Sequence, residues 1–186
     1  MSQASANARW AETLLAALAS LGLRDVVASP GARSTPLVLA ARRHPQLTLR
    51  VVTDERVAGF LALGIARGSA RPVALIATSG SAGAHWLPAL VEARASRIGL
   101  LALTANRPHE LLGCGAPQAV PQRHFFVDQV GLARVIPAPG PAPSIVELRS
   151  LETLALAAWS AASGEEALPV HLDLAFRAPL WGPARP

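Results

Sequence analysis

The sequence contains no lysine and no tyrosine, a single cysteine and few other aromatic residues. The lone Cys114 excludes an intrachain disulfide, and the five histidines do not have the spacing of zinc ligands. No apolar run approaches the ~18–20 residues that are needed to span a bilayer. Residues 1–10 contain no apolar signal core, so we expect a cytoplasmic protein with no membrane contact.

The basic charge is carried by arginine alone. The 17 arginines give a net charge of +5 and are spread along the chain, with Arg42-Arg43 as the longest basic run. Nucleic-acid-binding proteins usually concentrate their charge in a patch or stripe, so we expect no nucleic acid as a partner. Scattered arginine indicates the composition of the genome first and contacts with anionic small molecules second. Hydrophobic residues make up 51% of the chain. This apolar excess predicts a buried interface with another protein surface.

Short apolar segments alternate with amphipathic segments along the chain. Strands are predicted over residues 25–28, 47–52, 72–77, 98–103, 133–136 and 169–174, and helices over 7–21, 34–44, 54–67, 81–95 and 144–163. This alternation predicts a three-layer α/β fold, in which a parallel sheet of about six strands carries helices on both faces. We assign residues 1–177 to one domain and residues 178–186 to the start of an inter-domain linker.

Polar clusters follow the first four predicted strands. They lie at residues 29–35 (SPGARST), 54–56 (DER), 78–83 (TSGSAG) and 104–108 (TANRP). In open parallel sheets, ligands bind beyond the carboxyl ends of the strands, so we expect these clusters to meet at one edge of the sheet.

Three of these clusters have both a functional and a structural interpretation. Glu55 lies in the first turn of a helix, where the helix dipole by itself favours an acid. Arg33 precedes a helix start, where a cation opposes the dipole, so a clamp for a carboxylate competes with a surface arginine that is paired with a local acid. The turn 78–80 resembles a phosphate cradle at a helix N-terminus, but it lacks both G-x-G-x-x-G and the P-loop lysine. Asp54 is interpreted as a helix cap.

Read in order, these clusters resemble a known family. The chain has SPGARSTPL at 29–37, DER at 54–56, TSGSA at 78–82, TANRPHEL at 104–111 and APQ at 116–118. This series resembles the N-terminal, pyrimidine-binding domain of the MenD family of thiamine-diphosphate enzymes, the 2-succinyl-5-enolpyruvyl-6-hydroxy-3-cyclohexene-1-carboxylate synthases. The resemblance extends from about residue 10 to about residue 181. It implies a transferase of menaquinone biosynthesis that decarboxylates 2-oxoglutarate and adds the resulting succinic semialdehyde unit to isochorismate.

The resemblance implies thiamine diphosphate and Mg²⁺ or Mn²⁺ as cofactors. Glu55 would be catalytic and would also bind the cofactor, by a hydrogen bond to N1′ of the pyrimidine. Thr78, Ser79 and Gly80 would lie near the cofactor. The metal and the diphosphate would be held by a further domain, so no metal ligand is assigned to this chain, and the chain alone is expected to be inactive.

The same resemblance assigns substrate contacts to Arg33, Arg107 and Gln118, although capping of a loop is as plausible a role for Gln118. Three departures from the family pattern bear on the substrate: Ala32 replaces a serine, Asn106 an aspartate and Pro117 an asparagine.

The resemblance also implies that the chain acts with other protein parts. The expected partners are a cofactor-binding domain of the same or another chain and, in a homo-oligomer, further copies. Two alternatives remain: a pyrimidine-domain subunit of another split thiamine-diphosphate decarboxylase, and a non-catalytic binding module that has retained the fold.

Overall fold

The computed structural model describes residues 2–182 and contains one six-stranded sheet. All five strand pairs are parallel, and the strand order is β2-β1-β3-β4-β6-β5. The strands are β1 (Asp25–Ala28), β2 (Thr48–Val51), β3 (Val73–Ala77), β4 (Leu100–Asn106), β5 (Leu132–Ile136) and β6 (Val170–Ala175). The helices are α1 (Gln3–Leu21), α2 (Thr35–Arg43), α3 (Glu55–Ser69), α4 (Leu87–Ala95) and α5 (Ile145–Ala162). The predicted α/β fold is confirmed.

The helices cover both faces of the sheet. Helices α1, α2 and α5 pack on one face through a core that includes Leu14, Leu37 and Leu151. Helices α3 and α4 cover the other face, where Trp86 and Leu90 are fully buried. Every residue of β3, β4 and β6 is buried, which accounts for their nearly continuous apolar sequence.

Two of the expected helix starts differ in the structure. Helix α1 begins four residues before the predicted position, because the Ser2 hydroxyl accepts a hydrogen bond from Ser5 N and caps the first turn. The sequence S-T-P at residues 34–36 predicts a hydroxyl cap at the start of α2, and this prediction is wrong, since Ser34 Oγ donates instead to the carbonyl of Gly31. The Asp54 cap of α3 is confirmed: its carboxylate accepts from the backbone N–H groups of Arg56 and Val57.

The segment after β3 is not one continuous helix as predicted. Residues Ala82–Trp86 form a 3-10 helix, and α4 starts only at Leu87, with a proline in its first turn.

Strand β4 is displaced toward the C-terminus of the chain relative to the prediction. The polar residues Thr104 and Asn106, which were interpreted as loop, continue the strand and pair with Asp173 and Ala175 of β6. Extension of β4 therefore places two polar side chains inside a sheet that is covered on both faces.

The start of the predicted linker lies against α1. The Asn7 side chain donates to the carbonyls of Arg177 and Pro179, at 2.8 and 3.1 Å. Residues 183–186 of the predicted linker lie outside the described residues. Across residues 2–182, no helix is long and apolar enough to cross a bilayer.

Candidate functional site

The polar clusters lie at the carboxyl edge of the sheet, near the point where the order of the strands reverses. From β1 the chain moves to β2 on one side, and β3 then lies on the other side of β1, so the carboxyl ends of β1 and β3 form the switch point at which sheets of this kind bind ligands. Gly31 allows the loop after β1 to approach the turn after β3, because a Cβ at this position would lie 2.3 Å from Thr78 Cβ. The first and third clusters, residues 29–35 and 78–83, therefore lie against each other, as the sequence predicts.

Arg33 lies in the loop that follows β1 at this edge, and it has no acidic partner among residues 2–182. Its Nη1 donates to the carbonyl of Phe176 at 2.8 Å, while its Nε is buried and has no hydrogen-bond partner in the described structure. Burial lowers the pKa of Arg33, and the nearby positive charge of Arg107 lowers it further. The alternative interpretation of Arg33, a surface arginine paired with a local acid, therefore does not agree with the described structure. Two uncompensated cations at one edge make a site for an anion.

Arg107 and Gln118 both contact Ser79. A guanidinium nitrogen of Arg107 donates to Ser79 Oγ, and burial lowers the pKa of Arg107. Gln118 Nε2 donates to the carbonyl of Ser79 at 3.0 Å, and a Cβ at Gly80 would lie 2.6 Å from Gln118 Cγ. Gln118 therefore makes a loop contact while the residue as a whole stays exposed. Arg33, Arg107 and Gln118 thus share one region of the structure with the turn 78–80.

Glu55 is the first residue of α3, four positions after the end of the edge strand β2, and it is half-buried. Its neighbour Asp54 is occupied as the cap of α3 and pairs with Arg56 at 2.6 Å. Within the described part of the chain, the Glu55 carboxylate has no hydrogen bond or ion pair. Of the two acids in the DER cluster, Glu55 is the one whose carboxylate is available to an external group.

The turn 78–80 does not have the arrangement of a phosphate cradle. Ser79 is fully buried, and the Gly80 N–H already donates to Gln122 Oε1 at 2.8 Å. A 3-10 helix follows, so no long helix presents its N-terminal N–H groups here.

A buried polar network lies behind this turn, centred on Asp173 of β6. Asp173 Oδ1 accepts from Thr104 Oγ1 at 2.9 Å and from Gln122 Nε2 at 2.7 Å, and Oδ2 accepts from Asn106 Nδ2 at 2.8 Å. Burial raises the pKa of Asp173, whereas these three hydrogen bonds act in the opposite direction.

His171 joins the network through Thr104. Its Nε2 lies 2.8 Å from Thr104 Oγ1, and because that hydroxyl donates to Asp173, it accepts from His171 Nε2–H. Burial lowers the pKa of His171 to about 4, so the neutral ring predominates at pH 7.

The sequence analysis missed Asp173, His171 and Gln122. The available signal was the segment HLDLA, in which two polar side chains alternate with leucines in a strand of the doubly covered sheet. Buried polar side chains almost always have partners, so this alternation predicts a network whose other members are remote in sequence.

A metal site was not assigned to this chain. Among residues 2–182 no three His, Cys, Asp or Glu side chains are grouped so that they could hold a metal ion.

This edge of the sheet combines two uncompensated arginines, an available carboxylate and a buried polar network behind them. Such an arrangement can bind a carboxylated ligand and share a proton with a neighbouring group.

A family model described as "Thiamine pyrophosphate enzyme, N-terminal TPP binding domain" matches residues 8–132. The chain belongs to this family, the thiamine pyrophosphate enzymes.

Similarity to individual relatives extends over nearly the whole chain. Three proteins named 2-succinyl-5-enolpyruvyl-6-hydroxy-3-cyclohexene-1-carboxylate synthase are 47%, 45% and 44% identical to it, from Roseiflexus sp. (strain RS-1), Geobacillus kaustophilus (strain HTA426) and Vibrio vulnificus (strain CMCP6). The matches cover 94%, 95% and 98% of this chain but only 30%, 30% and 32% of the respective relatives. The chain therefore spans less than a third of the length of these relatives.

Proposed function

We propose that this chain is the N-terminal domain of a thiamine-diphosphate-dependent synthase of menaquinone biosynthesis. The complete enzyme would decarboxylate 2-oxoglutarate and add the succinic semialdehyde unit to isochorismate, as a transferase. The names of the relatives and the motif series support this assignment. The structural observation that carries it is the pair Arg33 and Arg107, two cations without an acidic partner among the described residues. Both proposed substrates carry carboxylates that such a pair would bind.

We propose that Arg33 and Arg107 each bind a substrate carboxylate. The planar guanidinium group can make two parallel hydrogen bonds to a carboxylate, and burial strengthens charge-assisted bonds of this kind. Arg33 Nη2, for which no hydrogen bond to a described residue is found, provides a donor that a ligand would satisfy. Gln118, exposed beside Ser79, would add an amide contact at the same edge.

Glu55 is the proposed contact to the cofactor pyrimidine. Its carboxylate fits this role because it is half-buried at the sheet edge and is not engaged by other described residues. It would hold a proton between its own oxygen and N1′ of the pyrimidine, while the turn of Thr78, Ser79 and Gly80 would lie near the cofactor. When bound, thiamine diphosphate supplies the carbon nucleophile of the reaction. Mg²⁺ or Mn²⁺ and the diphosphate would be held by a separate domain.

An exposed apolar surface on α3 and α4 supports the need for a partner. We name it the α3–α4 apolar surface; it consists of Val57, Phe60, Leu61, Leu87 and Val91. Phe60 is 50% exposed and Val57 57% exposed, and both lie within the first two turns of α3, close to Glu55. Contiguous exposed apolar side chains mark interaction sites, so we propose that a cofactor-binding domain or another subunit covers this surface and completes the site.

The test is reconstitution. The chain is combined with its cofactor-binding domain, thiamine diphosphate and Mg²⁺, and the consumption of 2-oxoglutarate and isochorismate is measured. The chain alone is the control and should be inactive, with weak or no cofactor binding. Turnover of a different 2-oxoacid would favour another split decarboxylase, and a folded complex without turnover would favour a binding module. Tight, magnesium-dependent cofactor binding by the chain alone would contradict the proposed division between domains.

A further inference from the structure

Gln122 connects the buried network to the turn 78–80. The residue is 1% exposed. Its Oε1 accepts from Gly80 N–H at 2.8 Å, and its Nε2 donates to Asp173 Oδ1 at 2.7 Å and to the carbonyl of Ala105 at 3.2 Å. The amide can satisfy these contacts in one orientation only, because a flipped amide would face donor with donor and acceptor with acceptor. Asp173 thus fixes how Gln122 presents its oxygen to Gly80.

These contacts converge on Arg107 by two routes. Gly80 follows Ser79, whose hydroxyl accepts from the Arg107 guanidinium group and whose carbonyl accepts from Gln118. Asp173 also holds the amide of Asn106, whose Oδ1 accepts from the backbone N–H of Arg107 at 2.7 Å. The network therefore supports Arg107 at its backbone and at the end of its side chain.

We propose that Gln122 is a positioning residue for the substrate-carboxylate site. Oriented by Asp173, it holds the Gly80 turn so that Ser79 can fix the Arg107 guanidinium group. Gln122 is fully buried, so it acts through Ser79 and does not touch the substrate. This inference rests on the proposed role of Arg107 in substrate binding.

The titratable and charged groups around the network also respond to pH, so they bear on any pH-dependent test of Gln122. Asp173 is the acid that contacts Gln122, and His171 is the titratable group linked to Asp173 through Thr104. Arg123, His124 and Arg134 lie with His171 around a neighbouring cavity of about 310 Å³. Arg107 lies beyond Ser79. The wild-type pH profile contains the contributions of all these groups, so each variant is compared with it.

The decisive variant is Gln122→Glu in the complete enzyme. When protonated, the introduced carboxyl group reproduces the essential pattern, because its carbonyl oxygen accepts from Gly80 and its hydroxyl donates to Asp173. When that proton leaves, two buried carboxylates face each other at hydrogen-bond distance and repel. We expect the KM for the substrate bound by Arg107 to stay near the wild-type value at low pH and to rise at least about 10-fold as pH increases. Proton exchange at C2 of the cofactor, assigned to Glu55, should keep the wild-type rate.

Two further variants complete the experiment. Gln122→Met removes all three side-chain hydrogen bonds and should raise the same KM at every pH. Gln129→Glu makes the matched change at a partly buried residue for which no side-chain hydrogen bond to a described residue is found, and it should retain the wild-type profile.

The outcomes separate this inference from the proposed function. A wild-type pH profile for Gln122→Glu overturns it, as does loss of folding at every pH, because the protonated form keeps the bonds to Gly80 and Asp173 and loses only the longer one to Ala105. The same pH response in Gln129→Glu also overturns it, since the effect would be unspecific. If Arg107→Ala leaves both KM values unchanged, the proposed function of Arg107 fails. If Arg107→Ala raises a KM and Gln122→Met does not, only the positioning role fails.

Discussion

Asn106 Nδ2 donates a 2.8 Å hydrogen bond to Asp173 Oδ2, across the adjacent strands β4 and β6. The sequence analysis treated Asn106 as a replacement for an aspartate beside Arg107. In the structure its side chain contacts Asp173 and the backbone N–H of Arg107, and no contact with the Arg107 guanidinium group is found among the described residues. A neutral amide at position 106 suits an ionised Asp173, because it supplies a donor to a carboxylate that is nearly shielded from solvent.

Replacement of this amide by a carboxyl group should destabilise the domain in a pH-dependent way. In Asn106→Asp two buried carboxyl groups would meet at hydrogen-bond distance and could coexist only by sharing a proton. We expect the free energy of unfolding to fall by roughly 2–4 kcal/mol at pH 8 and by less at pH 5. Urea unfolding at both pH values measures this, and equal losses at pH 5 and pH 8 would contradict it.

Glu55→Gln should abolish cofactor activation in the reconstituted enzyme. The amide cannot share a proton with N1′, so the rate should fall by at least about 100-fold while substrate KM values change little. Steady-state kinetics and C2-proton exchange measure the two effects separately. Asp54→Asn is the matched control, because asparagine caps a helix about as well as aspartate, and it should keep its activity. A wild-type exchange rate in Glu55→Gln would show that the role is misassigned.

The two arginines should affect substrate use and leave cofactor activation intact. Arg33→Ala and Arg107→Ala each remove a charge-assisted contact worth about 1.5–3 kcal/mol, or roughly 10- to 150-fold in affinity. Arg107→Lys should recover only part of the loss, because an ammonium group lacks the two-pronged geometry. The measurement is the KM for both substrates. Arg149→Ala, an exposed change on α5, should behave as wild type, and a similar loss there would indicate a general charge effect.

The α3–α4 apolar surface should mediate association. We expect the chain to self-associate or to bind its cofactor-binding domain through this surface, and Phe60→Asp should weaken that contact, because a charge would be buried at an apolar interface. Light scattering at increasing concentration, with and without the partner domain, measures this. Ile145→Asp is the matched control at an exposed apolar residue on the opposite layer. Equal effects of both changes would exclude this surface as the interface.

His171 should make stability depend on pH below neutrality. Its pKa is about 4 in the folded domain and 6.5 in the unfolded chain, so the unfolded state binds more protons between these values. The contribution of the neutral ring is complete above pH 6.5 and is lost as pH falls toward 4, by up to about 3 kcal/mol. His171→Gln should remove this component, because the amide is neutral and can still donate to Thr104. Unfolding curves from about pH 4 to 7 that match for both proteins would contradict it.

Features that depend on neighbouring residues could be predicted from the sequence. The alternation of apolar segments determined the α/β class, the cap at Asp54 followed from local chemistry, and the first helix ends at residue 21 as predicted. The order of the motifs indicated the family and nominated Glu55, Arg33 and Arg107. Each single element, cap or motif is defined by residues within a few positions of one another, which is the range over which helix and strand periodicity can be read from a sequence.

Only the tertiary structure determined which residues hold the side chains of the site in place. Arg33 meets the carbonyl of Phe176 across 143 positions, and Gln122 meets Asp173 across 51. Thr104 and Asn106 reach Asp173 because β6 lies beside β4 in the sheet, and the periodicity of the individual strands does not encode that order. Asp173 and His171 could be recognised as polar residues within an apolar strand, but their partners follow only from which strands are neighbours. A buried polar side chain must find its hydrogen bonds wherever the assembled fold places a donor, so the network is a property of packing and not of local sequence.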